Sequence, residues 1–213
     1  MEARSFLICV LLCGLIGISH GQVRLVNGTI KMQIGTTARC PDAYRFMKHL
    51  VPVYEKYKQF LDIEFVPWGR SSRGENGQLS CQFGVSGCWA NRFHRCVLHL
   101  LDGNQDAAVK FMQCEFSDTF PGFSGSYFCA TQVGLRLIEV DNCMATTGDA
   151  LEGPAEAATV EPLRIINFIP FIVFNGDIDR HISTQARNRL ESVICFALAE
   201  NAATGVTHCK IEM

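Results

Sequence analysis

The sequence lacks a strong charge imbalance: 19 lysine and arginine residues stand against 21 aspartate and glutamate residues, giving a net charge of −2. A nearly neutral chain has no general attraction for nucleic acid or for an anionic membrane surface, which excludes both as general partners. Internal repeats are absent. So is any run of about 18 apolar residues, the length that a membrane-spanning helix needs. These absences favour one ordinary globular domain.

Residues 1–21 have the composition of a signal peptide. A short apolar core is followed by small residues that suit a cut before Gln22, although a retained N-terminal helix is the alternative. We therefore predict a single mature domain, residues 22–213, that enters the secretory pathway. Asn27 begins an N-G-T sequon and is predicted to carry a glycan in that pathway.

Cysteine is the most informative residue type in this chain. Two of the 11 cysteines fall inside the predicted signal peptide, which leaves nine in the mature chain. An oxidising compartment favours pairing, and an odd number leaves one cysteine free or bonded to another chain. Cys40 lies far from the others, so we predict four disulfides among the remaining eight, with their pairing open, in a monomer or a Cys40-linked dimer. The eight disulfide candidates are Cys81, Cys88, Cys96, Cys114, Cys129, Cys143, Cys195 and Cys209.

The first part of the mature chain predicts a strand, a helix and a second strand. β-branched residues are frequent across 23–37, and apolar residues recur at helical spacing from Pro41, which suits a first helical turn. Pro52 is expected to kink this helix or end it early. The segment LDIEFVPWG at 61–69 predicts the second strand, so we expect a parallel, right-handed β-α-β unit.

A cysteine-rich helical insertion, roughly residues 75–160, separates this unit from the C-terminal part. The Gly/Ser-rich segment 69–80 is predicted to be a loop, and two clear helical patterns follow within 88–116. A pair of strands around Pro170 and a final helix with Ser183 as its N-cap complete the chain. This order predicts an α/β chain with a thioredoxin-like fold and a disulfide-rich helical insertion.

Cys40 lies where thiol–disulfide enzymes carry their attacking sulfur, between a strand and the first turn of a helix. The thiolate attacks, and the free N–H groups of a helix N-terminus stabilise that anion by about 0.3–1 kcal/mol. The Asp42 carboxylate opposes this effect because it disfavours a second negative charge. In a C-x-x-C pair the second cysteine displaces the bound substrate, but Ala43 stands at that position. The alternative is that Cys40 is a structural cysteine bonded to one of the other eight.

Pro170 interrupts the apolar segment FIPFIVFNG at 168–176. Thioredoxin-like folds place a cis-proline at the start of a strand that faces the active-site cysteine, so we predict that Pro170 is cis and faces Cys40. The alternative is a trans proline in an edge strand.

Two other chemistries fit the sequence less well. Cys88, His94 and Cys96 could suggest zinc, but no tight C-x-x-C pair is present and a secretory setting favours disulfides. A cysteine hydrolase would need a histidine beside Cys40, and no hydrolase signature surrounds any histidine. We therefore predict neither a metal nor a cofactor. The histidines considered are His49, His94, His99, His181 and His208.

Two further groups of residues have a structural and a binding interpretation. Arg70 and Arg73 are predicted to be solvated loop residues, with a partner-binding patch as the alternative. Five phenylalanines are predicted to form core beneath an irregular segment, whereas an exposed aromatic patch would indicate a binding surface. These are Phe111, Phe116, Phe120, Phe123 and Phe128.

The segment from Cys81 to Cys96 resembles the signature of a known family. Gamma-interferon-inducible lysosomal thiol reductases (GILT) carry C-Q-H-G-x-x-E-C-x-x-N-x-x-x-x-C. The chain departs from this signature at Phe83 and Gly87, where the family has His and Glu. The proline–strand–Asn-Gly segment after residue 168 is also similar to the family's. The matching positions are Cys81, Gln82, Gly84, Cys88, Asn91 and Cys96.

The resemblance implies a thioredoxin-like fold with a disulfide-bonded helical insertion, and the reduction of protein disulfides, often in acidic endosomal or lysosomal compartments. Carried over to this sequence, Cys40 takes the attacking-thiol role and no residue takes the resolving role. We therefore expect a secreted GILT-like protein, with the lysosomal or endosomal lumen as the alternative location.

Two functions remain open from the sequence. In the first, reductase activity is lost or weak because of Ala43, and the chain binds a protein partner through the insertion or loops. In the second, it is a monothiol reductase of protein disulfides, in which Cys40 attacks and a small external thiol such as glutathione resolves the adduct.

Overall fold

The computed structural model describes residues 23–211, so the predicted signal peptide lies outside the described residues. A central sheet has the strand order β2-β1-β5 and consists of β1 (Ile30–Thr36), β2 (Leu61–Pro67) and β5 (Phe171–Phe174). β1 pairs parallel with β2 and antiparallel with β5. Within the described part of the chain, no helix combines the length and apolarity needed to cross a membrane.

Helix α1 (Pro41–Tyr57) connects β1 to β2, which confirms the predicted β-α-β unit. Pro52 does not end the helix, because it lies on the exposed face and the opposite face is buried. Burial of seven side chains at helical spacing outweighs the roughly 3 kcal/mol that an interior proline costs. The buried side chains of α1 are Ala43, Phe46, Met47, Leu50, Val53, Tyr54 and Tyr57.

The close approach of β5 to β1 requires glycine at position 35. A Cβ atom there would lie 2.0 Å from the ring of Phe171, its partner in the β1–β5 register. The buried Phe171 ring therefore occupies space over Gly35 that no other residue type leaves free. This fit fixes the position of the chain directly after Pro170.

A helical insert, residues 84–165, joins the β-α-β unit to β5. Its last helix, α6 (Glu152–Ile165), packs against both β2 and β5 and so covers the sheet. The two predicted helical patterns are confirmed as α2 and α3. The insert helices are α2 (Gly84–Leu100), α3 (Gln105–Glu115), α4 (Phe128–Gln132), α5 (Leu137–Asn142) and α6 (Glu152–Ile165).

The segment predicted as a loop before the insert contains a short hairpin instead. Strands β3 (Ser72–Arg73) and β4 (Leu79–Ser80) pair antiparallel. The Gly74 N–H donates to the carbonyl of Gln78, which closes the turn. Local composition favoured a loop, whereas backbone pairing over so few residues gives no periodic signal.

The C-terminal part differs from prediction in two places. After the insert the described chain has one strand, β5, and only an isolated bridge between Phe174 and Asp177 in place of a second strand. The final helix, α7 (Arg180–Ala199), is capped by Asp179, whose side chain accepts from the Ile182 N–H. Ser183 is fully buried and accepts from the Ile172 N–H, so it anchors α7 to β5 rather than capping the helix.

The five singled-out phenylalanines divide between core and surface. Phe111 and Phe116 are buried, and Phe120 and Phe123 are half-buried, as predicted for core beneath the irregular segment. Phe128 is 55% exposed and is therefore not core. With the β-α-β unit, an antiparallel strand after Pro170 and a closing helix, the chain has the predicted thioredoxin-like fold with a disulfide-rich helical insertion.

Candidate thiol site

Cys40 is the N-cap residue of α1 and carries a free thiol. Its sulfur lies 3.8 Å from the carbonyl oxygen of Ile169. The Ile169–Pro170 peptide bond is cis and precedes β5. The fold thus brings together Cys40 and the Pro170 segment, which are far apart in sequence. Only 3% of Cys40 is exposed, so the thiol is closed off from solvent.

Burial raises the pKa of the Cys40 thiol above its ordinary value, because a low-dielectric environment disfavours the thiolate. The backbone N–H groups of Ala43 and Asp42 act in the opposite direction, as expected at a helix N-terminus. The Asp42 carboxylate raises the pKa further and the Arg45 guanidinium lowers it. Desolvation is the largest of these influences, so the helix N-terminus does not activate this sulfur.

Ala43 occupies the position of a resolving cysteine and is itself 1% exposed. Its side chain packs in the hydrophobic core, and the position of a resolving cysteine therefore carries no sulfur. No histidine contacts the Cys40 sulfur among residues 23–211. Four of the five histidines considered are exposed: His49, His99, His181 and His208.

Asn91, which the sequence singled out without a role, ties α2 to the loop before Cys40. Its buried Oδ1 accepts from the Ala38 N–H at 2.8 Å, and its Nδ2 donates to Thr37 Oγ1 at 3.1 Å. The Nδ2 group also reaches the carbonyl of Trp68 at 3.4 Å, at the end of β2. One amide therefore joins the segments that directly follow β1 and β2, and the first of these leads to Cys40.

An aromatic segment, residues 117–127, lies across the start of α1. The Tyr44 hydroxyl donates to the Asp118 carboxylate, and the Tyr44 and Phe120 rings lie 5.8 Å apart between centroids. The guanidinium of Arg39 lies 4.7 Å from the centre of the Phe123 ring. Arg39 and Tyr44 flank Cys40 in sequence, so this segment covers the helix start on which the thiol lies.

A buried pair in the insert anchors this aromatic segment. His94 Nε2 and Glu115 Oε2 lie 2.9 Å apart, and both side chains are almost fully buried. The same carboxylate oxygen accepts from the Gly122 N–H at 2.9 Å. Sequence reasoning assigned His94 no role of this kind, because its partner is brought close only by the packing of α2 against α3.

The eight later cysteines form four disulfides. Cys88 and Cys96, the two cysteines considered for zinc, belong to different disulfides and have no thiolate to offer a metal. Cys96 and Cys143 are both buried and join α2 to the segment after α5. The pairs are Cys81–Cys88, Cys96–Cys143, Cys114–Cys129 and Cys195–Cys209.

The remaining signature residues surround the start of α2. Gly84 begins the helix with φ +69, a conformation that favours glycine, and its N–H donates to the carbonyl of Cys81. Gln82 is exposed and contributes no contact to the thiol. The first part of the signature therefore forms the start of α2 with the Cys81–Cys88 disulfide. Farther along the same helix, the buried Asn91 reaches the loop before Cys40.

Arg70 and Arg73 are exposed, as predicted, but each also binds a distant part of the chain. Arg70 donates to the carbonyl of Asn167 at 2.8 Å. Arg73 forms ion pairs with Glu152 at 2.7 Å and Glu156 at 3.1 Å. Both arginines fasten the segment after β2 to the far end of the insert, a function that their Gly/Ser-rich surroundings did not indicate.

Comparison with protein families gives a match over residues 31–133 to the family described as gamma interferon inducible lysosomal thiol reductase (GILT). The match covers the β-α-β unit and the first half of the insert. It ends before Cys143, Pro170 and α7.

Related proteins and structures extend the comparison. GILT-like protein 1 of Drosophila melanogaster is 23% identical over 217 residues, covering 92% of this chain and 83% of the relative. A gamma-interferon-inducible lysosomal thiol reductase-like protein of Anopheles gambiae is 30% identical over 87 residues, covering 35% of this chain and 36% of that protein. A thioredoxin-like oxidoreductase from Silicibacter pomeroyi superposes with a TM-score of 0.45 at 13% identity, covering 76% of this chain and 87% of that one.

Proposed function

The chain belongs to the gamma-interferon-inducible lysosomal thiol reductase family, and on that premise we propose that it has lost most of the reductase turnover at Cys40. The observation that carries the proposal is a buried Cys40 thiol with Ala43 three residues later. A thiol with a raised pKa is slow to attack. A mixed disulfide formed there would have no second free thiol among residues 23–211 to release it.

The proposed remaining role is binding of a protein partner through the insert. Three apolar side chains on α4 and α5 support it: Phe128 is 55% exposed, Leu137 50% and Ile138 67%. Exposed apolar side chains that lie together favour contact with another protein. We place this role in the secretory pathway, outside the cell or in the lysosomal or endosomal lumen. Asn27, exposed in a turn, is the proposed glycan site.

A second candidate function is a monothiol reductase. It is favoured by the Asp42 and Ala43 N–H groups, which act on the Cys40 sulfur and lower the pKa of its thiol against the larger effect of burial. In this mechanism the Cys40 thiolate attacks a substrate disulfide and one substrate sulfur leaves as thiolate. A small external thiol then displaces Cys40 from the mixed disulfide.

Thiol titration and a reductase assay separate the two functions. The unreduced protein, once denatured, should contain one free thiol per chain, and the folded protein should reduce a protein disulfide slowly or not at all. Activity that appears only with added glutathione and disappears in Cys40→Ser would establish the monothiol reductase. Robust activity without added thiol would overturn the proposed loss of turnover.

Ala43→Cys tests the missing resolving group directly. An intramolecular resolving thiol acts at high effective concentration, so Ala43→Cys should raise reductase activity by at least about 100-fold. Ala43→Ser is the matched control, because it adds a side chain of similar size without sulfur. An equal rise in the activity of both variants would show that loosened packing, and not the added sulfur, causes the effect.

A further inference from the structure

The Cys81–Cys88 disulfide differs from the other three described disulfides in its access to solvent. Both of its cysteines are partly exposed, and the exposed residues Val85 and Ser86 lie between them in sequence, with Val85 87% exposed. Each of the other pairs contains at least one cysteine that is 3% exposed or less. A thiol reaches a disulfide along the line of the S–S bond, so access limits where exchange starts.

The surroundings of Cys81 favour its departure as a thiolate. Helix α2 has 17 residues, and its N-cap Phe83 offers no side-chain oxygen to the free N–H groups of the first turn. No acidic side chain lies in that turn. Gly87 lies beside Cys81, since a Cβ atom built on it would be 3.8 Å from the Cys81 Cβ. Cys81 lies two residues before the N-cap Phe83, so a thiolate there lies near a helix N-terminus that has no side-chain cap.

We propose that Cys81–Cys88 is a thiol-exchange site that reacts with low-molecular-weight thiols. An open groove of about 450 Å³ adjoins the disulfide and is bordered by the β3–β4 hairpin. Ser72, Asn76 and Gln78 supply hydrogen-bonding groups along its wall. A peptide-like thiol of the glutathione class presents matching amide and carboxylate groups.

The exchange proceeds in two displacements. The thiolate of the small thiol attacks Cys88 Sγ, and the electron pair of the S–S bond leaves on Cys81, which then takes a proton from solvent. A second small thiolate attacks the mixed disulfide and releases Cys88 in the same way. Two small thiols are oxidised to one disulfide, and the chain gains two electrons and two protons.

Gly87 makes this site specific to the present sequence. The family signature has Glu at this position, and a carboxylate beside Cys81 would disfavour both the incoming and the leaving thiolate. Cys40 takes no part in the exchange, so the test of this site can fail while the proposal for Cys40 stands.

Limited reduction of the native, oxidised protein tests the proposal. The protein is incubated with millimolar reduced glutathione, quenched with acid, alkylated and mapped by mass spectrometry. We expect Cys81 and Cys88 to be labelled at least about 10-fold faster than Cys195 and Cys209, with a glutathione adduct on Cys88. Simultaneous reduction of all four disulfides, or a first opening at another pair, would overturn the proposal.

Two variants at one position test the assignment of Cys81 as leaving group. Gly87→Glu and Gly87→Gln add side chains of nearly equal size, each with a Cβ atom 3.1 Å from the Cβ of Phe83. Glutathione should reduce Gly87→Glu roughly threefold more slowly than Gly87→Gln, because only the first adds a negative charge. Equal rates would show that no thiolate develops beside Gly87 and would sink this assignment.

Discussion

Cys40 and the Cys81–Cys88 disulfide occupy comparable places, since each lies at the start of a helix of 17 residues. At α1 the sulfur is a free thiol, but it is 3% exposed and burial raises its pKa. At α2 the sulfurs are oxidised, but both cysteines are partly exposed. Both sites lie near a helix N-terminus, but Asp42 places a carboxylate in the first turn of α1 and the first turn of α2 has no acidic side chain. The two sites also differ in their exposure to solvent.

The difference in access comes from parts of the chain that are distant in sequence. Ile169 and the aromatic segment 117–127 close the start of α1. The short β3–β4 hairpin borders the start of α2 and leaves a groove beside it. Segment 117–127 of the insert therefore covers Cys40, whereas the Cys81–Cys88 disulfide at the start of α2 stays partly exposed.

The largest expected effect compares a buried disulfide with the open one. Replacing Cys96 and Cys143 by alanine should lower the free energy of unfolding by about 4 kcal/mol, from the loop entropy of a 47-residue separation. The same change at Cys81 and Cys88, separated by 7 residues, should cost only about 2.5 kcal/mol. Urea denaturation measures both. A larger loss at Cys81–Cys88 would contradict the view that the open disulfide contributes less to stability.

Removing the anchor of the aromatic segment should open the Cys40 site. Glu115→Ala leaves the Gly122 N–H and His94 Nε2 without their acceptor, so we expect a loss of about 3 kcal/mol in stability. Alkylation of Cys40 by iodoacetamide should become faster in the same variant. Glu115→Gln keeps one acceptor oxygen and is the control with a smaller loss. The alkylation rate is corrected for the fraction of protein that is globally unfolded. An unchanged corrected rate would show that segment 117–127 does not limit access to the Cys40 thiol.

Asn91→Ala should act on the Cys40 loop from the opposite side. It removes the acceptor of the buried Ala38 N–H and the donor to Thr37, at a cost of about 2 kcal/mol. Asn91→Asp keeps the acceptor but loses the Nδ2 donor and buries a carboxylate, so it should cost at least as much. Chemical denaturation gives the stability, and the rate of Cys40 alkylation reports the loop. Unchanged stability and unchanged Cys40 alkylation in Asn91→Ala would show that this amide does not hold the Cys40 loop.

The smallest expected effect concerns pH. The folded state holds the Cys40 proton more tightly than the unfolded state, because burial raises the pKa of the folded thiol. Its contribution to stability is complete below the unfolded pKa and is lost as pH rises through the folded pKa. Stability between about pH 7 and pH 10 should therefore fall more steeply in the native sequence than in Cys40→Ser.

Asp42→Asn refines the same measurement. Removing the carboxylate should lower the pKa of Cys40 and shift the pH profile of its alkylation to lower pH. A profile that stays in place would mean that the Asp42 carboxylate does not influence this pKa.

Local patterns in the sequence predicted much of the fold. The strand and helix on either side of Pro41, the second strand and helices α2 and α3 follow from short-range periodicity. The hairpin at Ser72 was missed because two-residue strands show no period. Ser183 was assigned as a cap because its residue type suits that position, whereas its hydroxyl pairs with β5.

The sequence by itself determined that nine cysteines follow residue 21, that Cys40 begins a helix and that Ala43 stands where a second sulfur would be. Only the tertiary structure decided that Cys40 is buried, which cysteines pair and which disulfide stays open. The physical reason is that composition and helix position are local properties of the chain. Desolvation and access depend on segments such as Ile169 that lie more than a hundred residues away from the sulfur they cover.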